Sequence, residues 1–170
     1  VGAPSLESRQ DAVGSAGASE PPLLVFYGAM GRHNFGDILM GHVLSKLVEQ
    51  HCNYSRSQFR FADVIGQDMR VYGGEDVIDI GSIANYDAAV VDIIAVGGQI
   101  IPCSFSGAAK MILKGATPEL ARSALERAQA GLPKSFRETA TVYVPERSWF
   151  RRVGAIIVNA AGGCSVRSQS

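Results

Sequence analysis

Tyr27-Gly28-Ala29-Met30-Gly31-Arg32-His33-Asn34-Phe35-Gly36-Asp37 gathers glycines, a guanidinium, an imidazole, an amide and a carboxylate in one short loop. Glycine lets the backbone approach a ligand closely, and a helix start behind such a loop presents unpaired N–H groups. Arg32 sits on the loop, where it can contact an acceptor molecule or stand as a plain surface residue. His33 has the side chain best suited to proton transfer near neutral pH; its alternative is a plain surface position. Asn34 and Asp37 can hydrogen-bond the hydroxyls of a ligand, or they can shape the loop and cap the helix that follows. A carboxylate at that helix start competes with an anionic ligand for the same N–H groups. The spacing of Gly28, Gly31 and Gly36 is not G-x-G-x-x-G, and no Lys-Ser/Thr follows, so neither a dinucleotide fingerprint nor a P-loop is present.

The loop stands between a strand and a helix. Leu23 to Tyr27 is a continuous apolar run, the mark of a strand buried on both faces. From Asp37, as the expected N-cap, to about His51, a period of 3.6 brings Ile38, Leu39, His42, Val43, Lys46, Leu47 and Gln50 together. Leu44 and Val48 widen that apolar face. Phe59 to Ile65 and Asp76 to Ile80 read as further strands, with a short helix over Ile83 to Val90 capped by Ser82. Asp92 to Val96 is a buried strand ending in Gly97-Gly98. Thr117-Pro118 opens a helix that Gly131 stops. Gly154 to Ala160 is a last strand, running into Gly162-Gly163. Strands alternating with helices predict an α/β fold, a Rossmann-like parallel sheet flanked by helices over residues 23–170. Residues 1–22, rich in Ala, Gly, Ser and Pro, read as a disordered tail.

Three strands end in glycine-rich loops. In open parallel sheets ligands bind beyond the carboxyl ends of the strands, so Gly28, His33, Asn34, Gly36, Asp37, Gly97, Gly98, Asn159, Gly162 and Gly163 form the candidate binding set. The alternative for each glycine pair is a tight turn. Arg147, Arg151 and Arg152 beside Trp149 and Phe150 suggest a phosphate or sugar contact, or a solvated edge. His42 and His51 read as structural. No His, Cys and carboxylate set has ligand spacing, so no metal is expected.

The composition narrows the class. Sixteen Lys+Arg balance sixteen Asp+Glu in 170 residues, and a net charge of zero argues against a nucleic-acid partner. Hydrophobic residues make up 46%, enough for a real core. No apolar run reaches membrane-span length, and the N-terminus lacks the pattern of a signal peptide. Three widely spaced cysteines, Cys52, Cys103 and Cys164, read as free thiols of a reducing, cytoplasmic compartment.

Three motifs, in order, resemble the N-terminal half of the polysaccharide pyruvyl transferase family. They are Gly28 with Asn34-Phe35-Gly36-Asp37, then Asp92-Ile93-Ile94-Ala95-Val96-Gly97-Gly98, then Val144-Pro145 through Val153 to Asn159-Ala160-Ala161-Gly162-Gly163. The match runs from Leu23 to Gly163, with Ala29 to His33 lengthening the family's first loop and Gln99 following the second glycine pair. The resemblance implies one half of a GT-B-like pair of Rossmann-like domains. It implies transfer of a pyruvyl group from phosphoenolpyruvate, a substrate rather than a cofactor, to hydroxyls of a sugar or polysaccharide. It places most of the phosphoenolpyruvate-binding cations in a second domain, expected to follow this half. The residues also admit a non-catalytic Rossmann-like module that binds carbohydrate or nucleotide. A nucleotide-dependent oxidoreductase fits less well, since Asp63 and Asp68 flank rather than occupy the position of a ribose-binding acid.

Overall fold

The computed structural model describes residues 20–32, 34–97, 99–101, 103–159 and 162–163. His33, Gly98, Cys164 and most of the expected tail, residues 1–19, lie outside the described residues. Glu20 and Pro22 are tied to the domain: Tyr86 donates to the Glu20 carboxylate at 2.8 Å and Gln58 to the Pro22 carbonyl at 2.8 Å.

In chain order the elements are Leu23–Gly28 (β1), Phe35–His51 (α1), Phe59–Asp63 (β2), Gln67–Asp68 (β3), Asp76–Asp79 (β4), Ile80–Ala84 (α2) and Val91–Val96 (β5). Gln99–Ile101 (β6), Phe105–Ile112 (α3), Pro118–Ala130 (α4), Lys134–Glu138 (α5), Val153–Asn159 (β7) and Gly162–Gly163 (β8) complete them. Six strands form one sheet in the order β3-β4-β2-β1-β5-β7, parallel throughout except for the short β3. β6 and β8 make a separate parallel pair. The architecture is α/β and Rossmann-like.

The chain moves outward in one direction from β1 to β2 and β4, then returns to the other side of β1 as β5 and β7. Right-handed crossovers therefore put α1 on one face and the later helices on the other. The two cores match. Leu24, Phe26 and Ile94 pack with Ile38 and Val48 of α1 on one face. Val25, Tyr27 and Ile93 pack with Ile83 of α2, Phe105 and Ala108 of α3, Ala128 of α4 and Phe136 of α5 on the other. Each fully buried side chain of the size of Val25 or Phe26 contributes about 1.5–3 kcal/mol. The direction of winding reverses between β1 and β5, which opens a crevice past their carboxyl ends.

Several elements differ from the sequence reading. The residue capping α1 is Asn34, whose side chain accepts from the Gly36 N–H at 3.2 Å, so Asp37 lies within the first turn rather than at the cap. The face of α1 on the sheet is Asp37, Ile38, Gly41, Ser45 and Val48. Leu39, Val43 and Leu47, expected to be inward, are about half exposed. Small residues at 41 and 45 let the helix sit close to the sheet, where Met30 and Phe61 already fill the space beside Gly41. The short helix is Ile80–Ala84, not 83–90, because the chain turns helical directly from β4 and Asn85 ends it by donating to the Gly81 carbonyl. β7 is an open edge with Ile157 and Val158 exposed, not a fully buried strand. The Gly162-Gly163 pair runs as β8 beside β6 rather than as a turn.

Candidate functional site

A cleft of about 540 Å³ lies beyond the carboxyl ends of β1 and β2. Its walls are Arg32 and Asn34 from the loop after β1, Gln67 of β3, Met111 and Ile112 at the end of α3, and Lys114 and Ala116 beyond it. Two cations and two amides share this lining with the apolar Met111, Ile112 and Ala116. That is the chemistry of a site for a small anion or a polar molecule carrying one.

The loop that supplies Arg32 and Asn34 is held from within. Asp37 is 5% exposed, and its Oδ2 accepts from Arg32 Nη2 at 2.8 Å, Arg32 Nε at 3.3 Å and Asn34 Nδ2 at 2.7 Å. The position in the first turn of α1 favours its negative charge. Asp37 thus turns inward and fixes Arg32 and Asn34. Arg32 Nη1, 3.1 Å from the Met111 sulfur, reaches the opposite wall of the cleft. Asn34 both caps α1 and lines the cleft. Asn34→Ala is expected to cost about 1 kcal/mol through the lost cap, and Asn34→Ser much less, read as a shift in the urea midpoint.

Below this loop lies a group that sequence reasoning did not assign to the site. Asp63, the last residue of β2, is completely buried. Its Oδ2 accepts from Gly31 N at 2.7 Å, and its Oδ1 accepts from Val64 N at 2.6 Å and the Tyr143 hydroxyl at 2.7 Å. Burial pushes its pKa up to about 7 against these three hydrogen bonds and Arg32, all of which favour the carboxylate. Tyr143 and Tyr27 are buried beside it, their rings 5.6 Å apart, and Tyr27 donates to the Val142 carbonyl at 2.8 Å. Burial, then the Asp63 charge, hold both phenols well above their usual pKa. A lone carboxylate closing an apolar strand was the available signal for Asp63. Gln67 and Lys114 carried none, because their place depends on how α3 ends.

The other expected residues separate into two groups. Gly28 is buried, and a Cβ there would lie 1.9 Å from the Val96 carbonyl oxygen, so it serves the contact between β1 and β5. Gly97 is buried with φ 145°, backbone that favours glycine. Gly36 is exposed in the first turn of α1, and Asn159 is exposed at the end of β7. Gly162 and Gly163 pair with β6, apart from the cleft lining. The arginine cluster lies at the opposite edge of the sheet. Arg147 donates to the Val153 and Gly154 carbonyls and Arg152 to those of Asp87 and Ala88, at the starting ends of β7 and β5. Trp149 is buried edge-on to Phe136 at 4.6 Å. Arg147, Arg152 and Trp149 thus make contacts that hold the fold.

Comparison of the chain with protein-family models, with curated proteins and with solved structures finds no match. The geometry therefore carries the functional reading alone. Asp63 ends the second strand of the parallel sheet, where dinucleotide-binding folds keep a ribose-binding acid, but both of its oxygens are engaged by internal donors. Among the described residues no group of His, Cys, Asp and Glu could hold a metal ion. No described helix is long and apolar enough to cross a membrane.

Proposed function

We propose that this chain is one half of a polysaccharide pyruvyl transferase-like enzyme, and that its cleft takes the anionic end of phosphoenolpyruvate. The observation that carries the proposal is the convergence of Arg32 and Lys114 with the Asn34 and Gln67 amides at the carboxyl edge of a parallel sheet. Phosphoenolpyruvate presents a carboxylate and a phosphate, both suited to cations and amide donors. In the transfer, a sugar hydroxyl adds at C2 of the enol and a proton goes to C3. A second hydroxyl then displaces phosphate, leaving a ketal with a methyl and a carboxylate. Stabilising that carboxylate and the leaving phosphate is work for preorganised cations.

The described lining contains no carboxylate and no imidazole. That specific observation favours a second reading, a Rossmann-like carbohydrate- or nucleotide-binding module that holds a ligand without reacting it. In the first reading the base that deprotonates the sugar hydroxyl comes from His33 or from a facing lobe.

Titration with phosphoenolpyruvate, followed through the Arg32 and Lys114 side-chain NMR signals, tests the binding claim. Lys114 makes no ion pair with any described residue. Lys114→Met is therefore expected to weaken phosphoenolpyruvate about tenfold, the size of one charge-assisted contact, without changing stability. Absence of any shift at millimolar phosphoenolpyruvate would sink the reading. Binding of a neutral galactoside with phosphoenolpyruvate ignored would favour the second.

A further inference from the structure

We propose that Asp63 is a positioning residue for the cleft: its buried carboxylate holds Gly31, and so the loop carrying Arg32 and Asn34, and holds it less firmly once it takes up a proton. The role given to Arg32 and Asn34 rests on the anion-cleft reading above.

The hydrogen-bond geometry decides what a proton must do. Among the described residues Oδ2 has one partner, the Gly31 N–H, which can only donate. Oδ1 has two, the Val64 N–H and the Tyr143 hydroxyl. As a carboxylate, Asp63 satisfies all three donors. A proton on Oδ2 points at the Gly31 N–H and breaks that bond. A proton on Oδ1 faces the Val64 N–H or forces the Tyr143 hydroxyl to turn and accept. A proton on Oδ1 leaves Oδ2 to accept from Gly31 as a neutral oxygen, a weaker bond than the carboxylate makes, and a proton on Oδ2 displaces that bond. Asp63 is fully buried and has no ion pair with a described residue, so its charge is set by burial against its three hydrogen bonds and the more distant Arg32.

The contact that weakens reaches the cleft directly. Gly31 precedes Arg32, and a Cβ at Gly31 would lie 3.0 Å from the Ile65 carbonyl and 3.1 Å from Asp63 Oδ2, so the loop is pressed onto the end of β2. Among the described residues, the charged or titratable groups facing Asp63 come from several elements. Arg32 comes from the loop, Tyr27 from β1, Tyr143 from the segment before β7 and Cys103 from just before α3. Asp79, its register partner on β4, accepts from Gly66 N at 2.7 Å. Burial holds the two phenols and the Cys103 thiol above their usual pKa, so they stay neutral through neutrality, and Arg32 stays charged. Asp63 itself titrates at about 7.

The test uses amide and arginine side-chain NMR signals of the free chain between mildly alkaline and mildly acidic pH. It is run in a His33→Gln background, so that the loop imidazole contributes nothing. Gly31 N–H, Val64 N–H and Arg32 Nε–H are expected to move together with one midpoint near 7. Tyr143→Phe removes a hydrogen bond that favours the carboxylate, and is expected to raise that midpoint. Asp63→Asn is expected to abolish the transition. The Tyr143→Phe arm stands even if Asp63→Asn does not fold. Titration of Gly31 and Val64 with Arg32 unmoved would overturn the inference, leaving a purely structural acid. A flat profile across the range would overturn it as well. Binding of sulfate, whose charge is constant over this range, is followed separately at the alkaline end. Its absence would count against the anion cleft while leaving the Asp63–loop coupling intact.

Discussion

Gly28→Ala is expected to destabilise the chain by roughly 3 kcal/mol or more, or to prevent folding, although the substitution adds one methyl group. Gly28 ends β1 and pairs with Val96 across the central strands. The added Cβ would lie 1.9 Å from the Val96 carbonyl oxygen and 3.0 Å from its carbon. Neither is a side-chain tip that could swing away. Relief requires β1 and β5 to separate at their carboxyl ends, which breaks ladder hydrogen bonds in the middle of the sheet. Gly36→Ala is the control, because its added Cβ meets only the Asn34 side chain, at 3.5 Å. Urea unfolding of the two variants separates the claims. A Gly28→Ala midpoint within error of the unsubstituted chain would show that the β1–β5 contact tolerates what the geometry forbids.

The contrast between these two glycines shows what the sequence could convey. β1 and β5 were readable because a strand covered on both faces must be a continuous apolar run, and Leu23–Gly28 and residues 93–96 of β5 are such runs. α4 was readable because Thr117, Pro118 and Gly131 mark its ends chemically; the Thr117 side chain does accept from Leu120 N at 3.4 Å. The loop after β1 was readable as one wall of a site. Which of its residues turn inward was not. Gly28 and Gly36 look alike as letters, yet one is fixed by a strand that follows much later in the chain and the other faces solvent.

α1 failed for a related reason. Apolar periodicity pointed to Leu39, Val43 and Leu47, but the sheet takes the narrower face with Gly41 and Ser45. Where a helix must approach closely, small residues mark the contact better than large ones do. α3 went unseen because Gly107, Ala108 and Ala109 dilute its pattern, though Ser104 caps it by accepting from Gly107 N at 3.2 Å. With α3 unplaced, Lys114 had no wall to belong to. Asp63 was the most hidden, since its meaning lies in donors 32 residues before it and 80 after it.

That buried acid also predicts how stability varies with pH. Its pKa of about 7 in the folded chain exceeds the ordinary value of 3.8. The folded state therefore holds this proton over a range where the unfolded chain has released it. The favourable contribution is complete below about pH 4 and is lost as pH rises to about 7, at about 1.4 kcal/mol per pH unit. The span amounts to something on the order of 4 kcal/mol. Other carboxylates act in the opposite direction at the acid end; Asp68 beside Arg70 is held at about 2. The informative quantity is thus the difference between the unsubstituted chain and Asp63→Asn, which cannot titrate. Unfolding free energies across this range are expected to show that difference shrinking steadily as pH rises and levelling off above about 7. A difference independent of pH would mean that Asp63 is ionised throughout, its three donors outweighing its burial. Global stability and loop order then move in opposite directions as acid is added. The proton that relieves a buried charge also weakens the acceptor that holds Gly31, so a chain that grows more stable below neutrality is expected to grip its cleft less firmly.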